Sequence, residues 1–374
     1  MQTEDPRLVE AKAIPIMETA ERLGVTAELK RTGSEHAGPC PQCGGTDRFA
    51  ISPAQNIYNC RTCGGGDGIA LVQMVLSLDF KAALSWLVGE RDDEVSAEEV
   101  ERRRRNAEES ARKREETQER KRREALMAAQ RIWKEALPAV GTAVEDYLAA
   151  RGFPPHALAM PSTLRSHPAL PYMIHQEGAW IEIHRGPAMI AVVQAPDGKL
   201  SAIHRTWIDP DRPGKKAQIV HAGESQAAKK TLGSVKGGAI RLTSHPCRAD
   251  GFSTLIMGEG IETTLSAVIA DAVPGAAYWS GVSLPNMSGR RITRGEGMLY
   301  AGVPDLHDDE AFVPPPWVKR LVFIQDGDSE PRKTRAQLLA GLRRAMHRTP
   351  DLTAQIVHAG EGVDLNDVLR GDDA

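Results

Sequence analysis

Residues 36–68 read HAGPCPQCGGTDRFAISPAQNIYNCRTCGGGDG. Two tight cysteine pairs stand in this stretch, Cys40-Pro-Gln-Cys43 and Cys60-Arg-Thr-Cys63, with 16 residues between them and glycine directly after each. A CxxC turn aims two thiolates at one point, and the glycines let the backbone fold around a metal. Two such turns supply the four sulfur ligands of a closed, tetrahedral, structural zinc site, so Cys40, Cys43, Cys60 and Cys63 are the expected zinc ligands. A redox CxxC or a pair of disulfides is the competing reading. Asp47–Ile51 and Asn56–Asn59 are expected to form the two strands of a hairpin between the pairs.

Outward from the cysteines, residues 7–24 carry a weak helical pattern. Residues 69–90 (IALVQMVLSLDFKAALSWLVGE) carry apolar positions at helical spacing and close the first domain. Residues 98–124 differ: 11 of these 27 are Lys or Arg, 9 are Asp or Glu, and only Val100 and two alanines are apolar. Such a segment buries no face, so it reads as a solvated helix or a tether. Its basic clusters, Arg102 to Arg105 and Arg120 to Arg123, are also placed to touch nucleic-acid phosphates.

The chain has 374 residues, which predicts two or three domains, and 41% hydrophobic residues, enough for real cores. No apolar run approaches the roughly 20 residues of a membrane span, so no membrane partner is expected. The N-terminus lacks a signal-peptide pattern. Five cysteines, four assigned to a metal, fit a reducing cytoplasm, with Cys247 read as an ordinary small residue. The net charge of -3 means that any nucleic-acid binding rests on local basic patches.

Short strands are expected from about Leu164 to Leu242, including Ala188–Val193, Leu200–Ile208 and Ala239–Thr243. From Phe252 onward strand and helix alternate, which predicts a parallel sheet covered by helices. Two strands there end on acids: Leu255-Ile256-Met257-Gly258-Glu259-Gly260 and Leu321-Val322-Phe323-Ile324-Gln325-Asp326-Gly327-Asp328. Ligands of open α/β sheets sit beyond the carboxyl ends of the strands. Glu259, Asp326 and Asp328, 67 residues apart in sequence, are therefore expected at one rim, as hard oxygen donors for Mg²⁺ or Mn²⁺. Taken singly, Asp-Gly-Asp is also a common turn. A late cluster, Gly362-Val363-Asp364-Leu365-Asn366-Asp367, either caps a short helix or lines the same rim.

These motifs resemble a known family. The Glu259 motif and the Asp326-x-Asp328 motif look like the Toprim fold of bacterial primases, topoisomerases and some nucleases. His36 to Phe49 is similar to the zinc ribbon of phage and plasmid primases. Gly141-Thr142, Tyr147-Leu148, Arg151-Gly152, Leu164-Arg165, His204-Arg205-Thr206 and Leu232-Gly233 resemble the segment that precedes Toprim in such proteins. The fold class implied is multidomain α/β: a zinc-ribbon DNA-binding domain (1–90), a charged helical linker (91–135), the N-terminal part of an α+β primase core (136–250) and a Rossmann-like Toprim catalytic domain with helices on both faces (251–374).

The resemblance implies a DNA primase that makes RNA primers on single-stranded DNA from nucleoside triphosphates, for a mobile element such as a phage or plasmid. Glu259 would be the key acid, with Asp326, Asp328 and Asp364 as further Mg²⁺ or Mn²⁺ ligands. Arg48, Phe49, Tyr58 and Arg61 of the ribbon would hold unpaired bases by stacking and charge. Arg205, Lys229, Lys230 and Arg241 would contact template or nucleotide phosphates, each also readable as an ordinary surface charge. Glu262 reads as an acid favoured by a helix N-terminus. The chain contains no G-x-x-x-x-G-K-[ST], so a replicative helicase is expected on a separate polypeptide. A non-catalytic nucleic-acid-binding module and a Toprim nuclease are the rival readings.

Overall fold

This computed structural model describes residues 6–89, 97–176, 178–243, 253–271, 273–293, 295, 297–325 and 330–358. Cys247 and residues 362–367 lie outside the described residues. The chain divides into two compact units, Met1–Lys121 with Ile174–Trp180, and Arg122–Met173 with Ile181–Ala374.

In the first unit, helices α1 (Pro6–Ala13) and α2 (Ile16–Arg22) precede a five-stranded antiparallel meander. Its strands are β1 (Lys30–Thr32), β2 (Glu35–Cys40), β3 (Gly44–Ser52), β4 (Ile57–Cys60) and β5 (Gly64–Gly66). Phe49 and Ile51, two apart on β3, put their side chains on one face, where Tyr58 stands opposite Ile51. With Ile16, Ala20 and Leu71 they form the ribbon's core. Two helices follow, α3 (Gly68–Leu76) and α4 (Phe80–Val88). Each starts on an aspartate cap: Asp67 accepts from the Ala70 amide and Asp79 from that of Ala82. Among the described residues no single helix is long and apolar enough to cross a membrane.

The charged stretch lies in one helix, α5 (Ala97–Glu135). With no apolar stripe to bury through its charged part, it is supported along its surface by ion pairs at i,i+4. These include Arg105–Glu101, Lys113–Glu109 and Arg112–Glu116, all solvent-exposed pairs on neighbouring turns of the helix.

The second unit holds two sheets. In the first, β6 (Leu137–Pro138), β7 (Leu164–Gln176), β8 (Ala179–Gln194), β9 (Leu200–Trp207) and, beyond a small hairpin of β10 (Ile219–His221) and β11 (Glu224–Gln226), β12 (Lys229–Gly233) are ordered β12-β9-β8-β7-β6. Helix α6 (Ala143–Ala150) packs Val144, Tyr147 and Leu148 into the same apolar cluster as Met189, Ala191 and Ala202. Where short strands were expected, β7 and β8 run for 13 and 16 residues.

The second sheet is built from β13 (Ile240–Arg241), β14 (Thr254–Gly258), β15 (Ala277–Ser280), β16 (Arg320–Gln325) and β17 (Thr353–His358). Its order is β13-β15-β14-β16-β17, with β13 antiparallel and the rest parallel. Between its strands run α7 (Ile261–Ile269), the short α8 (Leu284–Ser288) and α9 (Met298–Ala301), and α10 (Pro331–Arg348). Period-two alternation assigns the two faces: Leu255, Met257 and Phe323 meet Leu338 and Leu342 of α10, while Ile256, Val322 and Ile324 meet Ala267 of α7. The chain is thus a mixed α/β, multidomain protein with a helix-covered parallel sheet. In the Ala239–Thr243 segment, expected among the preceding strands, Ala239 bridges Gln194 of β8, while Ile240 and Arg241 pair with Ser280 and Trp279 and extend this last sheet.

Candidate functional site

The four cysteines converge in the first unit. Their Sγ atoms all lie within 4.8 Å of one another, with Cys40–Cys63 at 3.9 Å and Cys43–Cys60 at 3.6 Å. A tetrahedron of ~2.3 Å zinc–sulfur bonds has sulfur–sulfur edges of about 3.8 Å, so the cage fits zinc. Gly44 and Gly64, one residue past each pair, hold φ of 66° and 91°, which L side chains adopt only with strain. The amides of Thr62 and Cys63 both donate to Cys60 Sγ at 3.4 Å. Burial pushes the Cys40 thiol up, and burial with the neighbouring thiols pushes Cys63 up further. Four thiols at this density need a cation to ionise together.

The ribbon residues expected to grip a template divide. Arg61 is exposed, 3.5 Å from Asp47, and Arg48 reaches Thr62 Oγ1 at 3.5 Å. Phe49 and Tyr58 require correction: they are 0% and 4% exposed, ring centroids 5.6 Å apart, inside the ribbon core. Neither ring has a face for a nucleobase, because β3 directs Phe49 inward with Ile51.

In the second unit, β14 runs into GEGIET (258–263), a strand end, a tight turn and the start of α7. The turn is pinned to the end of β15: Ser280 Oγ donates to the Glu259 carbonyl at 2.8 Å and the Gly281 amide to the Gly258 carbonyl at 2.9 Å. Glu259 is half-buried there and lines a cleft of about 310 Å³ with Arg151, His204, Lys216, Lys229 and Glu262. The neighbouring parallel strand β16 ends at Gln325, and Asp326 follows it directly in sequence. Asp326, Asp328 and Asp364 themselves lie outside the described residues.

Three residues beyond Glu259, Glu262 turns inward, its side chain 6% exposed. It accepts a hydrogen bond from Tyr147 Oη at 2.8 Å, and its oxygens lie 3.3 Å from Lys229 Nζ and 3.7 Å from Lys216 Nζ. Burial alone would raise its pKa, but the two ammonium groups hold it down at about 2. Burial brings Lys216 down to about 8 despite the facing carboxylate, and raises the Tyr147 phenol. Burial, with Lys229 close by, lowers His204 to about 4, so this imidazole is neutral at pH 7.

Each partner has a local reason for its place. Thr142 caps α6 and sets Tyr147 in its second turn. The Asp209 carboxylate accepts from the Asp211 and Arg212 amides and pairs with the Arg212 guanidinium, closing the turn that delivers Lys216. Lys229 sits on β12 opposite Thr206. Sequence reasoning missed Lys216, and it singled out Tyr147 and Glu262 without these roles. An acid buried at i+3 from a rim glutamate carries no local signal of its partners.

Of the four basic residues expected to contact phosphates, one stands in this cleft. Lys229 lines it, whereas Lys230, the next residue on β12, faces the other side of the sheet. There its ammonium lies 4.0 Å from the Tyr172 ring and donates to the Met173 carbonyl. Arg205, paired with Lys230, shares that second face, 5.3 Å over Trp207. Arg241 stacks on Trp279 at 4.6 Å and donates to the Ala195 carbonyl, on the wall of a separate cavity of about 430 Å³.

Residues 13–103 match the CHC2 zinc finger family of DnaG-type zinc ribbons, and residues 122–242 match a domain of unknown function, DUF7146. No curated protein matches the chain. Among solved structures it is similar to the Aquifex aeolicus primase (zinc-binding and RNA polymerase domains), at 16% identity over 99% of this chain and 83% of that one, TM-score 0.36. It is also similar to the primase fragment of the bacteriophage T7 primase-helicase, at 12% identity over 90% and 95%, TM-score 0.32. A third is a DNA primase domain from Pseudomonas aeruginosa, at 11% identity over 66% and 75%, TM-score 0.40. The chain carries an N-terminal zinc ribbon of the DnaG primase type, with zinc as its metal.

Proposed function

We propose that this chain is a DNA primase that synthesises short RNA primers on single-stranded DNA. The observation that carries the reading is the cleft at the carboxyl edge of the parallel sheet. There Glu259 shares a wall with Lys216, Lys229 and Arg151, an acid for a metal beside cations for a polyphosphate. The DnaG-type ribbon in the same chain supports it. The domain division that goes with this reading is ribbon 1–90, helical linker 91–135, N-terminal primase core 136–250 and Toprim domain 251–374.

In the proposed reaction the 3′-hydroxyl oxygen of one ribonucleotide attacks the α-phosphorus of the next. The bond from that phosphorus to the bridging oxygen breaks, pyrophosphate leaves, and the hydroxyl proton passes to solvent. Lys229, Lys216 and Arg151 bind the triphosphate oxygens. Glu259, Asp326, Asp328 and Asp364 would hold Mg²⁺ or Mn²⁺, for which an all-carboxylate donor set is suited; bound there, such ions neutralise polyphosphate charge and make the attacking hydroxyl more acidic. Arg48 and Arg61, on the ribbon, contact template phosphates. A mobile-element origin, a cytoplasmic location and a helicase partner on a separate polypeptide complete the reading.

The test is primer synthesis by the full chain on single-stranded DNA, with labelled ATP, the other ribonucleotides and Mg²⁺ or Mn²⁺. Short labelled products that vanish in Glu259→Ala and Asp326→Ala are expected. Absence of products on varied templates with DNA binding intact leaves a binding module, and cleaved DNA without added nucleotides leaves a nuclease.

A further inference from the structure

Glu259 accounts for the acid at the rim, but not for the second carboxylate of GEGIET. Glu262 is buried, and a buried carboxylate is costly unless it is paired and hydrogen-bonded. Its three partners come from three separate places in the chain: α6, the turn after β9, and β12. The arrangement is asymmetric. The acid is the inner member, while both lysine side chains remain 35% exposed and line the cleft.

We propose that Glu262 is a positioning residue. Together with the Tyr147 hydroxyl it holds the ammonium groups of Lys229 and Lys216 on the wall of the Glu259 cleft, preset for the phosphate oxygens of a nucleoside triphosphate. This rests on reading the cleft as the nucleotide site.

A free lysine has four rotatable bonds and loses that freedom when it grips an anion. Here much of that loss is incurred on folding, because each ammonium already has a fixed partner behind it. Each Nζ has three N–H groups, and one directed at Glu262 leaves the others for an incoming oxygen. Tyr147 fixes the carboxylate by donating to Oε1, the oxygen that faces Lys216, and Oε2 is left to Lys229. A plain internal ion pair would need neither the cleft-facing cations nor two of them.

The test compares wild type, Glu262→Gln, Tyr147→Phe, Lys216→Met and the double variant Glu262→Gln/Lys216→Met as full chains. Three quantities are measured: Kd for ATP without template, KM and kcat for ATP in primer synthesis, and Kd for single-stranded DNA. Glu262→Gln is expected to weaken ATP about tenfold, near 1.4 kcal/mol, and Tyr147→Phe about threefold, with kcat and DNA affinity close to wild type. The double variant removes one charge of each sign and keeps a folded protein in the set should Glu262→Gln not fold. Measured against Lys216→Met alone, it should bind ATP about threefold more weakly, because Lys229 has also lost the carboxylate behind it.

Unchanged ATP affinity in folded Tyr147→Phe and in either Glu262 variant overturns the inference, as does a wild type that binds no ATP. Loss of kcat at constant KM overturns it too, since that assigns Glu262 to the chemistry. A wild type that binds ATP, weakens with Glu262→Gln and makes no primers upholds the inference and removes the primase reading.

Discussion

Removing zinc from the ribbon should unfold that region and leave the parallel sheet folded. Structural zinc in a four-thiolate site contributes an apparent ~10–16 kcal/mol near neutral pH, against a whole-domain stability of ~5–15 kcal/mol. The structure makes the dependence steep. Cys40 and Cys60 are 3% and 1% exposed and belong to the same apolar cluster as Phe49, Ile51 and Tyr58, so a metal held by them would be tied to the core it organises. Cys60→Ser also takes away the sulfur that accepts the Thr62 and Cys63 amides, loosening the second turn. The assay is zinc content by mass spectrometry with hydrogen exchange on the full chain. Stoichiometric zinc should be lost, and amides of β3 and β4 should exchange freely while those of β14 and β16 stay protected. Stoichiometric zinc in Cys60→Ser, or protected ribbon amides after chelation, would refute the four-thiolate, core-forming account.

Phe49→Ala should cost the ribbon ~3–5 kcal/mol through the cavity it leaves; a template-binding defect with unchanged ribbon stability, seen by denaturation, would return the ring to the interface. Lys229→Met should raise the nucleotide KM, whereas Lys230→Met, on the opposite sheet face, should cost about 1 kcal/mol of stability at most and leave KM alone. Equal kinetic effects of the two would contradict the strand register. Acid should destabilise the second unit in two steps. His204 and Glu262 have folded pKa values of about 4 and 2, below their ordinary 6.5 and 4.5, so the unfolded chain takes up protons first and stability falls as pH drops. The His204 contribution is lost between pH 6.5 and 4, and the Glu262 contribution between 4.5 and 2. Urea midpoints of His204→Gln should lack the first step, and an unchanged slope there would rule His204 out.

What the sequence disclosed was local. The two CxxC turns name their own ligands, and an apolar run ending in Gly258-Glu259-Gly260 marks a strand end whichever strands flank it. The constellation around Glu262 was not legible because its members are joined by pairing and packing. Tyr147 is 115 residues from Glu262 in sequence and Lys229 is 33. Lys229 and Lys230 look equivalent as letters, and only the register of β12 against β9 divides them between two faces. Phe49 and Tyr58 are a different case, since the signal was present. Phe49 and Ile51 are two apart, the spacing of one buried face, and that alternation outweighs the general affinity of aromatic rings for bases.

Glu262 also separates two ways of thinking about the cleft. On net charge alone, an inner carboxylate weakens the site, since a unit charge ~8 Å from a phosphate at an effective dielectric of ~20 is worth ~2 kcal/mol. Replacing it with glutamine should then tighten a nucleotide ~30-fold. On positioning, the same replacement frees Lys229 and Lys216 to sample rotamers away from the cleft, and affinity falls. The opposite signs make one substitution decisive. Screening favours the second outcome: the two lysines are partly exposed to water, which weakens the carboxylate's reach to a bound phosphate more than its hold on ammonium groups at 3.3 and 3.7 Å. A tighter nucleotide in Glu262→Gln would mean that the field of the cleft, and not the placement of its lysines, sets its affinity.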